Sequence, residues 1–220
     1  MVSKTTRKGN RSTLLDKAAS ASFVGRLRDS GGLVNLGGNY DYMSRPYYVS
    51  QDFENEGRTI RPSCTEMLDA YVPPLFLEKT KRFGVSVAEY YISNGYFEPP
   101  VIVDPINPFT LKGRVIMKPG KVKQLATSLT RNFTYAVCCQ ELPEGARVGH
   151  FRSVLGWSAN PRYRSLSAHV WEIFSIPLAR VRVITLKNGE CLLSDLAPLW
   201  FDELNARELR IIEERVSWDS

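Results

Sequence analysis

Apolar residues recur along this chain at two spacings, and the switches between them lay out the expected elements. Leu14, Leu15, Ala18, Phe23 and Leu27 fall at roughly helical intervals and predict a helix over 13–28, which Gly31-Gly32 would end. Leu33-Val34-Asn35-Leu36 is a short apolar run that stops at Gly37-Gly38, as a strand entering a tight turn does. Pro46 suits the first turn of a helix carrying Tyr47, Tyr48, Val49 and Phe53, with Gly57 as its terminator. Residues 58–62 then return as a second strand, so 33–62 reads as a compact β-α-β unit.

Ser63-Cys64-Thr65-Glu66 has the form of a capping box, and the helical pattern after it is interrupted at Pro73-Pro74 and stopped at Gly84. Residues 85–119, rich in Tyr, Val, Ile and Pro, read as strands and loops, 121–131 as a helix and 133–139 as a buried strand. Asn160-Pro161 looks like a cap and a first helical residue, followed by Tyr163, Leu166, Val170, Ile173 and Phe174 on one face. Strands over 179–186 and 190–193 meet across Asn188-Gly189, a hairpin turn pair. A helix over 201–218, with Leu204, Leu209, Ile212 and Val216 inward, is expected to close the pattern. Interleaved strands and helices predict an α/β protein. The expected layout is a basic flexible tail at 1–12 and a single domain at 13–220, with a mixed sheet, flanking helices and a C-terminal hairpin plus helix.

Composition narrows this picture. With 220 residues, 43% of them hydrophobic, the chain can fill a core. No apolar run approaches the roughly 20 residues of a membrane-spanning helix, so no membrane partner is expected. The net charge of +6 is drawn in part from Lys4, Lys8, Arg7 and Arg11, which precede the first acid, Asp16. Such a segment is a solvated tail or a phosphate-contacting arm. Cys64, Cys138, Cys139 and Cys191 form no C-x-x-C pair, and His150 and His169 lie in no metal motif, so no metal site is expected. Four reduced thiols suit the cytoplasm.

The densest polar-aromatic cluster is Asn39-Tyr40-Asp41-Tyr42-Met43-Ser44-Arg45-Pro46-Tyr47-Tyr48, between a strand and a helix. Ligands bind outside the carboxyl ends of strands in open α/β sheets, and a helix N-terminus with a neighbouring arginine favours an anion. Asn39, Asp41, Tyr42, Ser44, Arg45, Tyr47 and Tyr48 are therefore the candidate residues for binding a ligand or partner. The competing reading packs the tyrosines on the sheet and pairs Arg45 with an acid.

Asn35-Leu36, Tyr40-Asp41-Tyr42-Met43-Ser44, Tyr47-Tyr48-Val49-Ser50, Gly57 and Pro62-Ser63 resemble the N-terminal domain found ahead of RimK-like ATP-grasp ligases. A looser likeness runs through 166–174, 176–178, Arg180-Val181 and 196–199. The sequence departs from the family pattern at Gly37-Gly38-Asn39, where Cys-Arg-Ser is usual, at Asp41 in place of Arg, and at the polar stretch 51–56. The resemblance implies an accessory domain for ATP-driven carboxylate–amine ligation through an acyl phosphate. In the family the catalytic domain follows, whereas this sequence stops at Ser220, so a free-standing or cut-off accessory domain is expected.

On that reading the chain is a non-catalytic binding or docking subunit, with no catalytic residue and no cofactor of its own. ATP and Mg belong to a partner, a separate ATP-grasp ligase, and a peptide substrate is the other expected partner. Two alternatives stand beside it. One is an RNA-binding module using the basic stretch Lys112, Arg114, Lys118, Lys121, Lys123 and Arg131 with Phe133 and Tyr135. The other is a minimal ATP-dependent ligase, for which 115–119 resembles a nucleotide-lysine strand, Gln140-Glu141 its hinge and Glu203-Leu204-Asn205 an E-x-N magnesium site.

Overall fold

A computed structural model describes residues 23–107, 113–118, 120 and 122–218. In chain order the elements are β1 (Val24–Leu27), β2 (Leu33–Asn35), α1 (Arg45–Asn55), β3 (Ile60–Arg61), α2 (Cys64–Tyr71), α3 (Pro73–Arg82), β4 (Tyr90–Ser93), β5 (Val101–Pro105), β6 (Arg114–Ile116), α4 (Val122–Leu129), β7 (Val137–Glu141), β8 (Arg147–Val154), α5 (Arg164–Phe174), β9 (Leu178–Thr185), β10 (Cys191–Pro198), α6 (Ala206–Arg215) and β11 (Val216–Ser217). The class is α/β with mixed sheets, flanking helices and a hairpin followed by a helix near the C-terminal end.

The chain divides into two compact units. The first draws on Met1–Leu68, Phe151–Arg180 and Ala197–Ser220, the second on Asp69–His150 and Val181–Leu196. A further sheet is ordered β10-β9-β8.

The first unit is built on a sheet ordered β11-β1-β2-β3. β2 and β3 run parallel, Leu33 opposite Ile60 and Val34 opposite Arg61, and α1 makes the crossover between them. This is the expected β-α-β unit. The capping box also forms: Ser63 Oγ accepts from Glu66 N at 3.1 Å, and Glu66 Oε2 accepts from Ser63 N at 2.7 Å.

Two expectations fail here. Residues 24–27 are the strand β1, antiparallel to β2, and not the end of a helix. Phe23 (φ 61°) turns the chain, and the pairing of Gly25 with Val34 commits it to the sheet; the remainder of the expected helix and tail, 1–22, lies outside the described residues. The closing helix is also shorter than its apolar periodicity suggests. A 3-10 turn covers Phe201–Glu203, and α6 starts afresh because the Asn205 side chain accepts from Arg207 N and Glu208 N. After α6 the chain extends into β11, with Val216 opposite Leu27.

The second unit holds an antiparallel sheet ordered β4-β7-β5-β6. α4 lies over one face, where Ala126 and Leu129 join Phe97, Val101, Val103, Ile116, Val137 and Cys139 in one core. The opposite face brings Ile102 into a second core with Ala88, Leu142, Ile184 and Leu192. The strand expected at 133–139 begins only at Val137. Arg131, Asn132 and Phe133 are left-handed (φ 48°, 57° and 63°), and buried Thr130 stabilises that turn by accepting from Phe133 N at 2.8 Å. No helix among the described residues is long and apolar enough to cross a membrane.

Candidate functional site

The polar-aromatic cluster of the first unit is assembled around one buried asparagine. Asn35, at the end of β2, is fully buried. Its Nδ2 donates to Pro46 O (2.7 Å) and Ser50 Oγ (3.0 Å), both on α1, and its Oδ1 accepts from Gly37 N (3.1 Å). Ser50 Oγ donates onward to Pro62 O at 2.9 Å, and Tyr40 OH donates to Asn35 O at 2.8 Å. A single side chain therefore ties the strand, the turn and the helix together, and its partners satisfy polar groups that burial would otherwise penalise.

The turn itself is set by local bonds. Asn39 Oδ1 accepts from Asp41 N at 3.1 Å. Ser44 is the N-cap of α1, with Oγ accepting from Tyr47 N at 3.3 Å and donating to Asn39 O at 2.9 Å. Tyr47 is buried and stacks edge-on with Tyr42, ring centres 5.2 Å apart, while Tyr48 stands on the rim at 44% exposure. Tyr42 (43%) and Arg45 are exposed. Of the seven candidate residues, Asn39, Ser44 and Tyr47 thus organise the turn, Asp41 is half-buried, and Tyr42, Arg45 and Tyr48 face outward.

Beside Arg45 lies a cavity of about 300 Å³, lined by Phe23, Gly37, Pro46, Val49, Trp200, Phe201 and Asp202. Its far wall comes from a stretch that the cluster's sequence does not announce. Phe201 packs between Phe23 (5.6 Å) and Trp218 (6.2 Å). The turn and the wall meet because Gly38 carries no side chain, and Gly37 lets the turn close onto α1. A Cβ on Gly38, which has φ +80°, would lie 2.3 Å from Leu199 O; a Cβ on Gly37 would lie 2.4 Å from Pro46 Cγ. Leu199 N donates to Gly38 O at 3.0 Å across this contact. Gly38 is therefore what admits Leu199 and Trp200 to the site. Phe23, Trp200 and Phe201 were not legible as site residues, since they lie far in sequence from the 39–48 cluster.

The residues that resemble ligase machinery are engaged elsewhere. Glu203 Oε2 accepts from Arg180 Nη2 (2.7 Å) and Trp200 N (3.3 Å), bracing the cavity wall. Asn205 caps α6, and Glu208, 3% exposed, pairs with Arg152 at 2.8 Å while accepting from Asn205 N. In the second unit Gln140 donates to Asp104 Oδ2 (2.9 Å) and Ser194 O (3.1 Å), and its Oε1 accepts from Ser194 Oγ at 2.9 Å. Arg182 meets Asp104 with two bonds of 2.9 and 2.5 Å and lies 3.6 Å from Asp195. Lys118 is exposed beyond β6.

Of the basic stretch, Arg114, Lys118, Lys123 and Arg131 are described and all four are exposed. Arg114 opposes Val103 at one end of the β5–β6 pair, whereas Ile116, which precedes Lys118, opposes Val101 at the other. Lys112 and Lys121 lie outside the described residues. Arg131 is exposed with Phe133 (49%) and Tyr135 (44%) at the turn between α4 and β7.

Comparison with known proteins places this geometry in context. The family described as "RimK-like ATPgrasp N-terminal domain" matches residues 25–215. No curated protein matches. A solved RimK domain ATP-grasp protein from Sphaerobacter thermophilus is 12% identical with a TM-score of 0.55, the match covering 82% of this chain and 75% of that one. The D-alanine-D-alanine ligase of Helicobacter pylori is 15% identical with a TM-score of 0.54, covering 79% of this chain and 67% of the ligase. The ATP-grasp ligase PsnB, solved with a minimal precursor, Mg and ADP, is 14% identical with a TM-score of 0.47 over 74% of this chain, which spans 61% of PsnB. At these identities the likeness is one of fold.

Proposed function

Because the chain belongs to the RimK-like ATP-grasp N-terminal domain family, we propose that it is a non-catalytic binding or docking subunit serving a separate ATP-grasp carboxylate–amine ligase. ATP and Mg are bound by that partner, and this chain contributes the surface around Tyr42, Arg45 and Tyr48. The observation that carries the reading is the engagement of Glu203 and Asn205. Glu203 braces the backbone and Arg180, and Asn205 caps a helix, so the E-x-N likeness is explained by fold. Phosphoryl transfer needs metal ligands and cations converging on one reacting group, and these two side chains converge on protein.

The purified chain is expected to release no ADP from ATP and Mg. Sustained release that disappears in Lys118→Ala would overturn the reading and favour a minimal ligase. Arg45→Ala is expected to weaken association with a ligase or its peptide substrate by about 1.5–3 kcal/mol, the range for hydrogen bonds to charged groups. Its melting temperature should stay unchanged, because the side chain is exposed.

A further inference from the structure

We propose that the cavity beside Arg45 takes the α-carboxylate of an apolar amino-acid residue, with the residue's side chain against Trp200, Phe201 and Phe23. The proposal rests on the reading of this face as a binding surface and names what the surface recognises.

Shape and charge argue for this ligand together. The cavity, about 300 Å³, sits at the lower limit of small-molecule sites, which run from roughly 300 to 1,000 Å³. It holds one residue in preference to a nucleotide or an extended chain. Five of its lining side chains, Phe23, Pro46, Val49, Trp200 and Phe201, are apolar, so the buried part of the ligand is apolar too. Arg45 lines the same cavity, and among the described residues no carboxylate pairs with it. A guanidinium offers a planar fork that a carboxylate matches with two parallel bonds. As the first residue of α1, Arg45 also stands at the positive end of the helix dipole.

Asp202, on the same lining, decides between anions. One arginine and one aspartate are the charged side chains of the lining. A singly charged carboxylate can be seated on Arg45 with its apolar body away from Asp202. A phosphate dianion would carry twice the charge past the same aspartate, and like-charge juxtaposition is costly. The cavity is built into the fold and does not arise from loose surface side chains. Glu203 fixes the Trp200 backbone through Trp200 N, and Gly38 allows the two walls to approach.

Two sources present such a carboxylate, the C-terminal residue of a peptide and a free amino acid. The test titrates the full chain with N-acetyl-L-phenylalanine, L-phenylalanine, N-acetyl-L-phenylalaninamide and phenyl phosphate, followed by calorimetry and by tryptophan fluorescence. The N-acetyl acid or the free amino acid should bind saturably, and the amide and the phosphate at least about tenfold more weakly, the loss expected for one charge-assisted bond. Tighter binding of the N-acetyl acid identifies a peptide terminus. Tighter binding of free phenylalanine identifies an amino acid whose ammonium lies beside Asp202. Arg45→Ala should erase the preference for acid over amide, with an unchanged melting temperature. Val49→Phe, which fills the cavity and leaves Arg45 in place, should weaken both acid and amide.

Equal binding of acid and amide, an unchanged preference in Arg45→Ala, or no saturable binding of any probe would overturn the proposal. None of these outcomes touches the docking reading, which ATP turnover by the chain alone would defeat instead.

Discussion

Asp104 and Arg182 show what a single residue pair can do to an interior. Arg182 has 10% of its side chain exposed and Asp104 3%, and their bidentate contact is completed by Gln140 and by Ser194, whose Oγ accepts from Arg182 Nε at 2.9 Å. Arg182 also lies 3.6 Å from Asp195, so removing Arg182 leaves Asp104 as the unpaired buried charge, whereas removing Arg182 and Asp104 together leaves only the partly exposed Asp195. Arg182→Met is therefore expected to cost about 3–5 kcal/mol in denaturant unfolding. The double variant Asp104→Leu/Arg182→Met should cost clearly less than the sum of the two single changes. A single-variant loss below about 1 kcal/mol would show that the pair is solvated in solution. The charge types were visible in the sequence, but not the partnership, because 78 positions separate the two residues.

At the scale of elements, caps and turns decided what periodicity left open. The inward positions Leu204, Leu209, Ile212 and Val216 are all buried, as the apolar spacing of 201–218 implies, yet one helix does not carry them. Asn205 supplies two hydrogen-bond acceptances to a new helix start, and Glu208 reaches back to Asn205 N. Asn205→Ala is expected to destabilise the protein by about 1 kcal/mol, typical for loss of such a cap. Thermal melts check this, and an unchanged midpoint would place the helix start elsewhere. The capping box at Ser63 and the breaks at Pro73 and Gly84 were legible because each rule there is local. Residues 131–133 were not, since three left-handed residues in succession are favoured by no local preference. The turn depends on Thr130, which donates to Ala126 O as it accepts from Phe133 N.

The whole molecule responds to pH through its buried acids. Burial pushes the Cys139 thiol up to about 11, and burial with neighbouring Glu54 pushes Cys64 up to about 12. Cys138, buried beside Asp104, and the phenol of Tyr40 are raised further by the same cause. A thiol in the unfolded chain titrates near 8.5. Above that value the unfolded state releases protons that the folded state retains, so pH increases favour unfolding. The stability from the neutral thiols is complete below about pH 8.5 and falls as pH rises through the folded values. Melting temperature is therefore expected to decline steadily above about pH 8.5, and less steeply in Cys139→Ala. A flat profile to pH 10.5 would mean that these thiols reach solvent.

Local rules carried far in this chain. The β-α-β crossover, the helix boundaries at Pro46, Ser63 and Gly84, and the hairpin at Asn188-Gly189 follow from neighbours within a few positions. So do the Asn39 and Ser44 bonds of the candidate turn, which span no more than five residues, whereas Asn35 reaches Pro46 O across 11. The family likeness was legible too, because the residues that resemble it lie close together in sequence. Long-range pairing decided the rest. β1 is a strand because β2 and β11 flank it, and local helical spacing cannot compete with two ladders of hydrogen bonds. The cavity exists because Leu199 and Trp200 approach Gly38 from about 160 residues away along the chain, a closeness set by backbone contact and missing side chains. Sequence alone could name Arg45 as a cation at a helix start; only the tertiary structure set aromatic walls beside it.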